Sequence, residues 1–250
     1  MWYNISIGVK NHKNKLKSTI LKRTRNIKKL LSSLLLSSAL VLGTPGCISV
    51  NLTSPTPTPV AYQNASFEAL RDTVLPIRDA DFIFCSGTVI GKGLLLTAAH
   101  CFEDPSFKLE NTYIGRYKML EIVAKDTATD LAVVRFASKG HAVGEIAKKT
   151  PAVDTSIVVI GYPMGVGNQI LTEGRIQGYD IPNLSHYMNI SAPIGPGNSG
   201  GPVYAIEGGK YKLVGVVSAV IGTGFGAIVP HLGFAVNLKT IQTFLLKNGL

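Results

Sequence analysis

Three residue types that can together activate a hydroxyl group stand far apart in the sequence, each in a distinctive local setting. Ser199 lies in the run GNSGGP, His100 lies in TAAHC, and Asp130 opens the apolar run DLAVV. A serine hydroxyl is a poor nucleophile at neutral pH and needs a base within hydrogen-bond reach. Histidine can take that proton near neutrality, and a buried carboxylate can fix its tautomer and stabilise the imidazolium. The three runs therefore predict nucleophilic chemistry by Ser199, with His100 as base and Asp130 as its partner.

The glycines around Ser199 suit a second requirement of this chemistry. A developing oxyanion needs backbone N–H groups aimed at it, and small residues let the backbone turn tightly and approach a substrate. We expect the segment of Gly197, Asn198 and Ser199 to form this oxyanion hole, with the N–H groups of Gly197 and Ser199 as donors. The loss of one such donor typically lowers the rate by about 10²–10³.

The chain resembles the trypsin-like peptidases over roughly residues 80–245, and the HtrA/Deg branch most of all. The resemblance rests on CSGTVI at 85–90, LLTAAHC at 95–101, DLAV at 130–133, SAPIGPGNSGGPV at 191–203 and GFAV at 233–236. It implies an all-β fold of two six-stranded antiparallel β-barrels of the chymotrypsin type with a C-terminal α-helix. The cleft between the barrels would hold the three candidate residues.

The resemblance implies a serine endopeptidase that acts on polypeptides through an acyl-enzyme, without a metal or another cofactor, and a role in protein quality control. Asp126 could compete with Asp130, but the apolar run directly after Asp130 matches the family pattern, and Asp126 is interpreted as a turn residue. A catalytically silent binding module on the same fold remains the alternative from another functional class. The sequence does not predict an oligomeric state.

Asn198 departs from the digestive trypsins, which have aspartate immediately before the nucleophile. That aspartate pairs with a new N-terminus after zymogen cleavage, and asparagine carries no charge for such a pair. We expect a site that is preformed or switched by loop ordering. The resemblance also implies a disulfide between Cys85 and Cys101, which would close a loop of about 16 residues and contribute roughly 3 kcal/mol.

Specificity is argued from the positions that line the family's primary pocket. By resemblance these are the floor at Pro193, one wall at Ser218, Ala219 and Val220, and the opposite side near Gly233. None of them is acidic, which disfavours cleavage after Lys or Arg and favours small or medium apolar residues. A glutamyl-endopeptidase type of specificity is the alternative, and His231 is the only basic candidate near the pocket to serve it.

The formal net charge of +10 is concentrated at the N-terminus. Residues 1–61 contain nine Lys or Arg and no acidic residue, whereas residues 62–250 contain the other 16 against all 15 Asp and Glu. The region of the candidate site is therefore near neutral, and nucleic-acid binding loses its main electrostatic support.

The basic N-terminus precedes an apolar run of 13 residues, 30–42, which is short for a membrane span of about 20. We interpret residues 1–46 as a secretory signal or a retained anchor, which places the protein outside the cytoplasm, in the cell envelope or periplasm or secreted. Cys47 follows Gly46 where a bacterial lipoprotein would be acylated, although Thr44 and Pro45 are unusual there. The protein would contact the membrane through this segment or through a lipid on Cys47.

Residues 47–64 form a Thr/Pro-rich linker, and residues 65–250 form the predicted peptidase domain. We place barrel one at about 70–140, barrel two at about 155–236 and the helix at about 237–248. After that helix no residues remain for the PDZ domain that typical HtrA proteins carry. The predicted strands are 82–90, 93–98, 117–125 and 131–136, then 156–162, 170–180, 186–190, 201–206, 211–221 and 233–236.

Overall fold

The computed structural model describes residues 67–80, 82–138, 140–179, 184–222 and 228–250. The predicted signal or anchor segment, the linker and Cys47 lie outside these residues. In the part of the chain that is described, no helix has both the length and the apolar character that a membrane crossing needs.

Six antiparallel strands close the first barrel in the order β1-β2-β3-β6-β5-β4. They are β1 (Val74–Arg78), β2 (Ile83–Gly91), β3 (Leu94–Thr97), β4 (Tyr113–Ile114), β5 (Tyr117–Asp126) and β6 (Leu131–Phe136). A 3-10 turn at Ala99–Phe102 follows β3 and carries His100.

The second barrel closes in the order β10-β11-β12-β9-β8-β7. Its strands are β7 (Ser156–Gly161), β8 (Ile170–Gly178), β9 (Tyr187–Ile190), β10 (Pro202–Glu207), β11 (Lys210–Gly222) and β12 (Ile228–Asn237). Two closed six-stranded barrels confirm the fold class that the resemblance implies.

A continuous apolar cluster joins the two barrels. Leu96, Leu131 and Val133 from the first barrel belong to the same buried cluster as Ile160 and Val216 from the second. Burial of apolar surface is the dominant stabilising term in folding, so this shared cluster holds the two barrels in one arrangement. The relative positions of the candidate site residues are fixed by this cluster, because these residues come from both barrels.

Among the described residues, two short α-helices flank the barrels, α1 (Phe67–Arg71) and α2 (Leu238–Lys247). The Asn237 side chain caps α2 by accepting a hydrogen bond from the Thr240 N–H. The side chains that repeat at helical spacing are the buried ones, namely Leu238, Ile241, Phe244 and Leu245. The predicted C-terminal helix is therefore confirmed.

Three strands differ from the prediction. β1 was not predicted, because Pro76 in its centre cannot donate to a ladder and argues against a strand. β4 has only two residues, too few for a recognisable pattern. β12 begins at Ile228, five residues before the predicted start at residue 233. The earlier part was not predicted because Pro230 disfavours a strand.

Replacing the α2 cap tests how firmly this helix is docked. Asn237→Ala removes the cap acceptor and also the side-chain amide that donates to the Ser185 and Tyr187 carbonyls. We expect a loss of about 1–3 kcal/mol in the free energy of unfolding, measured by urea denaturation. Thr243→Ala on the exposed side of the same helix should stay within about 0.5 kcal/mol of the wild type. Equal losses in both variants would contradict the capping role.

Candidate active site

The His100 ring faces the Asp130 carboxylate. His100 Nδ1 lies 3.0 Å from Asp130 Oδ1 and 2.9 Å from Oδ2, and the His100 backbone N–H donates to Oδ1 at 3.0 Å. An ionised carboxylate only accepts hydrogen bonds, so the proton of the neutral ring sits on Nδ1. Nε2 is thereby left with the free lone pair that a general base needs.

Asp130 is buried and held by donors from both barrels. Besides His100, the Ser218 hydroxyl on β11 donates to Asp130 Oδ2. Burial alone would raise the pKa of the carboxyl. The hydrogen bonds and charge of His100, together with the bond from Ser218, outweigh burial and hold the pKa below its usual value. Asp130 is therefore an anion at neutral pH.

The backbone of Asp130 is in the left-handed region, with φ of 56°. Aspartate and asparagine tolerate this conformation better than most residues, because their short polar side chains bond locally. The left-handed residue starts β6 and turns the carboxylate toward His100. Asp126, the alternative, instead accepts a hydrogen bond from the Ala128 N–H at 3.0 Å, as a turn residue does.

The Ser199 segment is fastened to the first barrel next to His100. The Ser86 N–H on β2 donates to the Ser199 carbonyl at 2.8 Å. A disulfide joins Cys85, the neighbour of Ser86, to Cys101, the neighbour of His100, as the resemblance implies. Ser199 is partly exposed. Within the described residues no hydrogen bond joins its hydroxyl to the His100 ring, and such bonds often tighten only when substrate binds.

Two peptide groups beside Ser199 have their N–H groups free. The Pro196 carbonyl accepts from the Met164 N–H, and the Asn198 carbonyl accepts from the Gly201 N–H. In a trans peptide the N–H points away from the carbonyl, so the N–H groups of Gly197 and Ser199 face the other way. Neither has an acceptor among the described residues. These are the two donors expected from the sequence.

Asn198 does not contribute its N–H to this pair. That N–H donates to the Gly195 carbonyl at 3.0 Å, and the Asn198 side chain accepts from the Gly195 N–H at 3.3 Å. Asn198 is buried with 1% of its surface exposed. Asn198 therefore holds the turn closed from its buried side by neutral hydrogen bonds. It does so without the charge pair that the aspartate at this position makes in trypsins.

Ser86 is a second anchor, which the sequence did not single out. Its hydroxyl donates to the Gly197 carbonyl at 2.7 Å and accepts from the Tyr162 N–H at 3.0 Å. Gly197 has φ of 89° and its Cα packs against the Tyr162 carbonyl, so a side chain there would be both strained and overlapped. The segment is thus fixed in one orientation by contacts that reach across 111 residues of sequence.

The predicted pocket residues are only partly brought together. Val220 and Gly233 are paired neighbours on β11 and β12, as expected of facing positions, and Ala219 lies beside them opposite Phe234. Pro193 is exposed, and its carbonyl accepts from the Thr172 hydroxyl at 2.9 Å. The Ser218 hydroxyl is committed to Asp130. The place of Pro193 and Ser218 in the pocket stays a prediction.

Ile194, which was not predicted as a pocket residue, lies next to Gly233. A Cβ on Gly233 would lie 2.6 Å from Ile194 Cδ1, so the isoleucine side chain covers the glycine. The exposed His231, with φ of 56°, turns its ring nitrogen Nδ1 to within 3.2 Å of the Ser191 carbonyl. The side chains that a Cβ on Gly233 would meet, those of Ile194 and Ile190, are both apolar, and no local sequence pattern marks the contact with Ile194.

A metal site is not built here. Among the described residues, the one His/Cys/Asp/Glu group with ligand-like spacing is Cys85, His100 and Cys101. Both cysteines are spent in the disulfide, so neither can offer a thiolate.

Known proteins share both the sequence and the shape of this region. A family described as the trypsin-like peptidase domain matches residues 85–216, more than half of the chain. Protease Do-like 2, chloroplastic, of Arabidopsis thaliana is 27% identical over 177 residues, 66% of this chain. A serine protease HtrA-like of Staphylococcus aureus (strain USA300) is 32% identical over 169 residues, 59% of this chain. The matched region spans only 28% and 20% of these two relatives.

Solved structures support the fold. An inactive form of Rv3671c from M. tuberculosis H37Rv superposes with a TM-score of 0.58 at 23% identity, covering 78% of this chain and 95% of that one. A serine endoprotease from Yersinia pestis gives 0.57 at 25% identity, covering 76% of this chain and 67% of that one. With the family match over residues 85–216, these likenesses lead to one conclusion: the chain belongs to the trypsin-like peptidase family.

Proposed function

We propose that the protein is a serine endopeptidase with Ser199 as nucleophile, His100 as general base and Asp130 as the partner of His100. The observation that carries the proposal is the pairing of a buried, ionised Asp130 with the His100 ring, next to a Ser199 turn whose two N–H groups are free. A merely structural turn has no reason to leave two adjacent donors unpaired.

The chemistry follows from these positions. His100 Nε2 takes the Ser199 proton as the hydroxyl attacks the scissile carbonyl, and Asp130 stabilises the imidazolium that forms. The N–H groups of Gly197 and Ser199 bind the oxyanion of the tetrahedral intermediate. Collapse releases the amine, which takes the proton from His100, and leaves an acyl-enzyme that water hydrolyses by the same steps.

The apolar surroundings of Gly233 support cleavage after small or medium apolar residues. Ile194 fills space over Gly233, which limits the depth of the pocket. Val220 is the cross-strand neighbour of Gly233. A Cβ on Gly233 would meet the side chains of Ile194 and Ile190, so a charged substrate side chain would find no partner in these two residues.

Export fits the disulfide, which persists in oxidising compartments. The proposal includes attachment to the cell envelope through residues 1–46 or through a lipid on Cys47, and a role in protein quality control. The similarity to proteins named HtrA-like and Do-like supports that role.

An active-site probe tests the catalytic assignment. A fluorophosphonate should label the full chain, and Ser199→Ala should abolish the label, because the probe reacts only with an activated hydroxyl. Ser156→Ala, at an exposed serine on β7, is the matched control and should label as the wild type does. A folded wild type that stays unlabelled would favour the silent binding module.

The rate of peptide hydrolysis tests whether Asp130 or Asp126 is the partner of His100. Asp130→Asn should lower kcat by about 10⁴, because the amide favours the wrong His100 tautomer. Asp126→Asn should retain the wild-type rate. The opposite ranking would overturn the assignment of Asp130.

A peptide-library digest tests the pocket. The wild type should cleave after Val, Ala, Leu or Ile, and Ile194→Ala should shift the preference toward larger apolar residues by about 10-fold or more, since the loss of three side-chain carbons opens the pocket. Ile206→Ala removes an exposed isoleucine on β10 and should leave the profile unchanged. A wild-type profile dominated by Arg, Lys or Glu would sink this specificity.

Cell fractionation tests the attachment. The full chain should sediment with membranes. Release by Cys47→Ala would assign the attachment to a lipid, and retention would assign it to the apolar run 30–42. A wild-type chain found entirely in the soluble fraction would contradict attachment of either kind.

A further inference from the structure

A buried tyrosine hydroxyl lies directly behind the Ser218–Asp130 hydrogen bond. Tyr187, the first residue of β9, is 9% exposed, and its hydroxyl oxygen lies 3.3 Å from Ser218 Oγ. The Tyr187 ring is fixed between His186, at 4.1 Å between ring centroids, and Phe234, at 5.9 Å. The hydroxyl is therefore held in place by packing on both sides.

Counting protons gives the direction of this contact. The Ser218 hydroxyl has one proton and donates it to Asp130, which as an anion can only accept. Ser218 Oγ can then take part in the second contact only as an acceptor, so Tyr187 is the donor. Burial is the main reason that the pKa of Tyr187 is raised, and the nearby Asp130 charge raises it further. The phenol consequently keeps its proton.

We propose that Tyr187 is a positioning residue for Asp130 that acts through Ser218. Its donation to Ser218 Oγ polarises the Ser218 hydroxyl, which then donates more strongly to Asp130 Oδ2, because hydrogen bonds in a chain strengthen one another. The relay runs from β9 through β11 to the start of β6, so it ties the carboxylate to the second barrel. Its catalytic consequence rests on the proposed peptidase function.

Two other tyrosine hydroxyls, those of Tyr204 and Tyr179, bond away from the site. Tyr204 bonds to the hydroxyls of Thr73 and Thr88 at 2.6 and 3.0 Å. Tyr179 donates to the Pro151 carbonyl at 2.7 Å. In the described part of the chain, Ser218 is the hydrogen-bond partner of the Tyr187 hydroxyl. Tyr179→Phe is thus a matched control that deletes the same group elsewhere.

A double-mutant cycle in the full chain tests the relay with two readouts. The first is the NMR resonance of the proton that His100 Nδ1 shares with Asp130. Tyr187→Phe should move it downfield, because a weaker Ser218 bond leaves more charge on Asp130 for His100. The second is kcat, which should fall about 2- to 10-fold with KM unchanged, the range of an ordinary hydrogen bond. In the Ser218→Ala background, Tyr187→Phe should change neither readout.

The outcomes separate this proposal from the proposed function. Movement of the resonance without any turnover would support the relay and contradict the peptidase assignment, and turnover with an unmoved resonance would do the reverse. Equal effects of Tyr187→Phe with and without Ser218, or an equal effect of Tyr179→Phe, would overturn the relay. Should Tyr187→Phe fail to fold, biosynthetic fluorotyrosine, a stronger donor, must move the resonance upfield in the wild type and not in Ser218→Ala.

Discussion

The Asp130 carboxylate joins the two barrels by hydrogen bonds on the His100 side of the candidate site. It belongs to the first barrel, yet Ser218 of the second barrel donates to it beside His100. Removing a buried carboxylate from water is costly unless such donors surround it. The carboxylate is therefore stable only when both barrels are in place, and the orientation of His100 depends on that assembly.

The Ser199 side of the cleft is built by the same logic with different groups. Ser86, in the first barrel, bonds the carbonyls of Gly197 and Ser199 through its hydroxyl and its N–H. The carbonyls of Pro196 and Asn198 are held in turn by the N–H groups of Met164 and Gly201, which leaves the N–H groups of Gly197 and Ser199 on the other face of the turn. Preorganised donors of this kind need no reorganisation when charge develops, which is the main advantage of a protein site over water. The disulfide at Cys85 keeps this anchor next to His100.

Local patterns predicted much of this molecule. The apolar runs of β6 and β7 and the spacing of buried residues in α2 indicated their own elements, and the residues around Ser199 and His100 carried a family resemblance. The features that the sequence did not predict depend on contacts between residues that are far apart in the chain. β1 contains Pro76 and is a strand only because β2 and β4 pair with it on either side. The place of Ile194 over Gly233 likewise arises only when the second barrel closes, because Ile194 follows β9 and Gly233 lies on β12, 39 positions later in the sequence.

The same reason explains why the contact of Ser218 with Asp130 was not predicted. The direction in which a strand side chain points depends on the register and, at Ser218, on the bulge between Val217 and Ala219. The contact between Ser218 and Asp130 crosses 88 positions of sequence. No periodicity within β11 records such a partner.

The left-handed backbone at Asp130 limits which residue types can occupy this position. The position asks for a side chain that tolerates φ of 56° and also for a negative charge. Asparagine meets the first demand and glutamate meets the second, but a glutamate carboxylate stands one methylene farther from its donors. Among the twenty residue types, aspartate alone satisfies both, so every single substitution at this position leads away from the working site and none leads to a substitute for it.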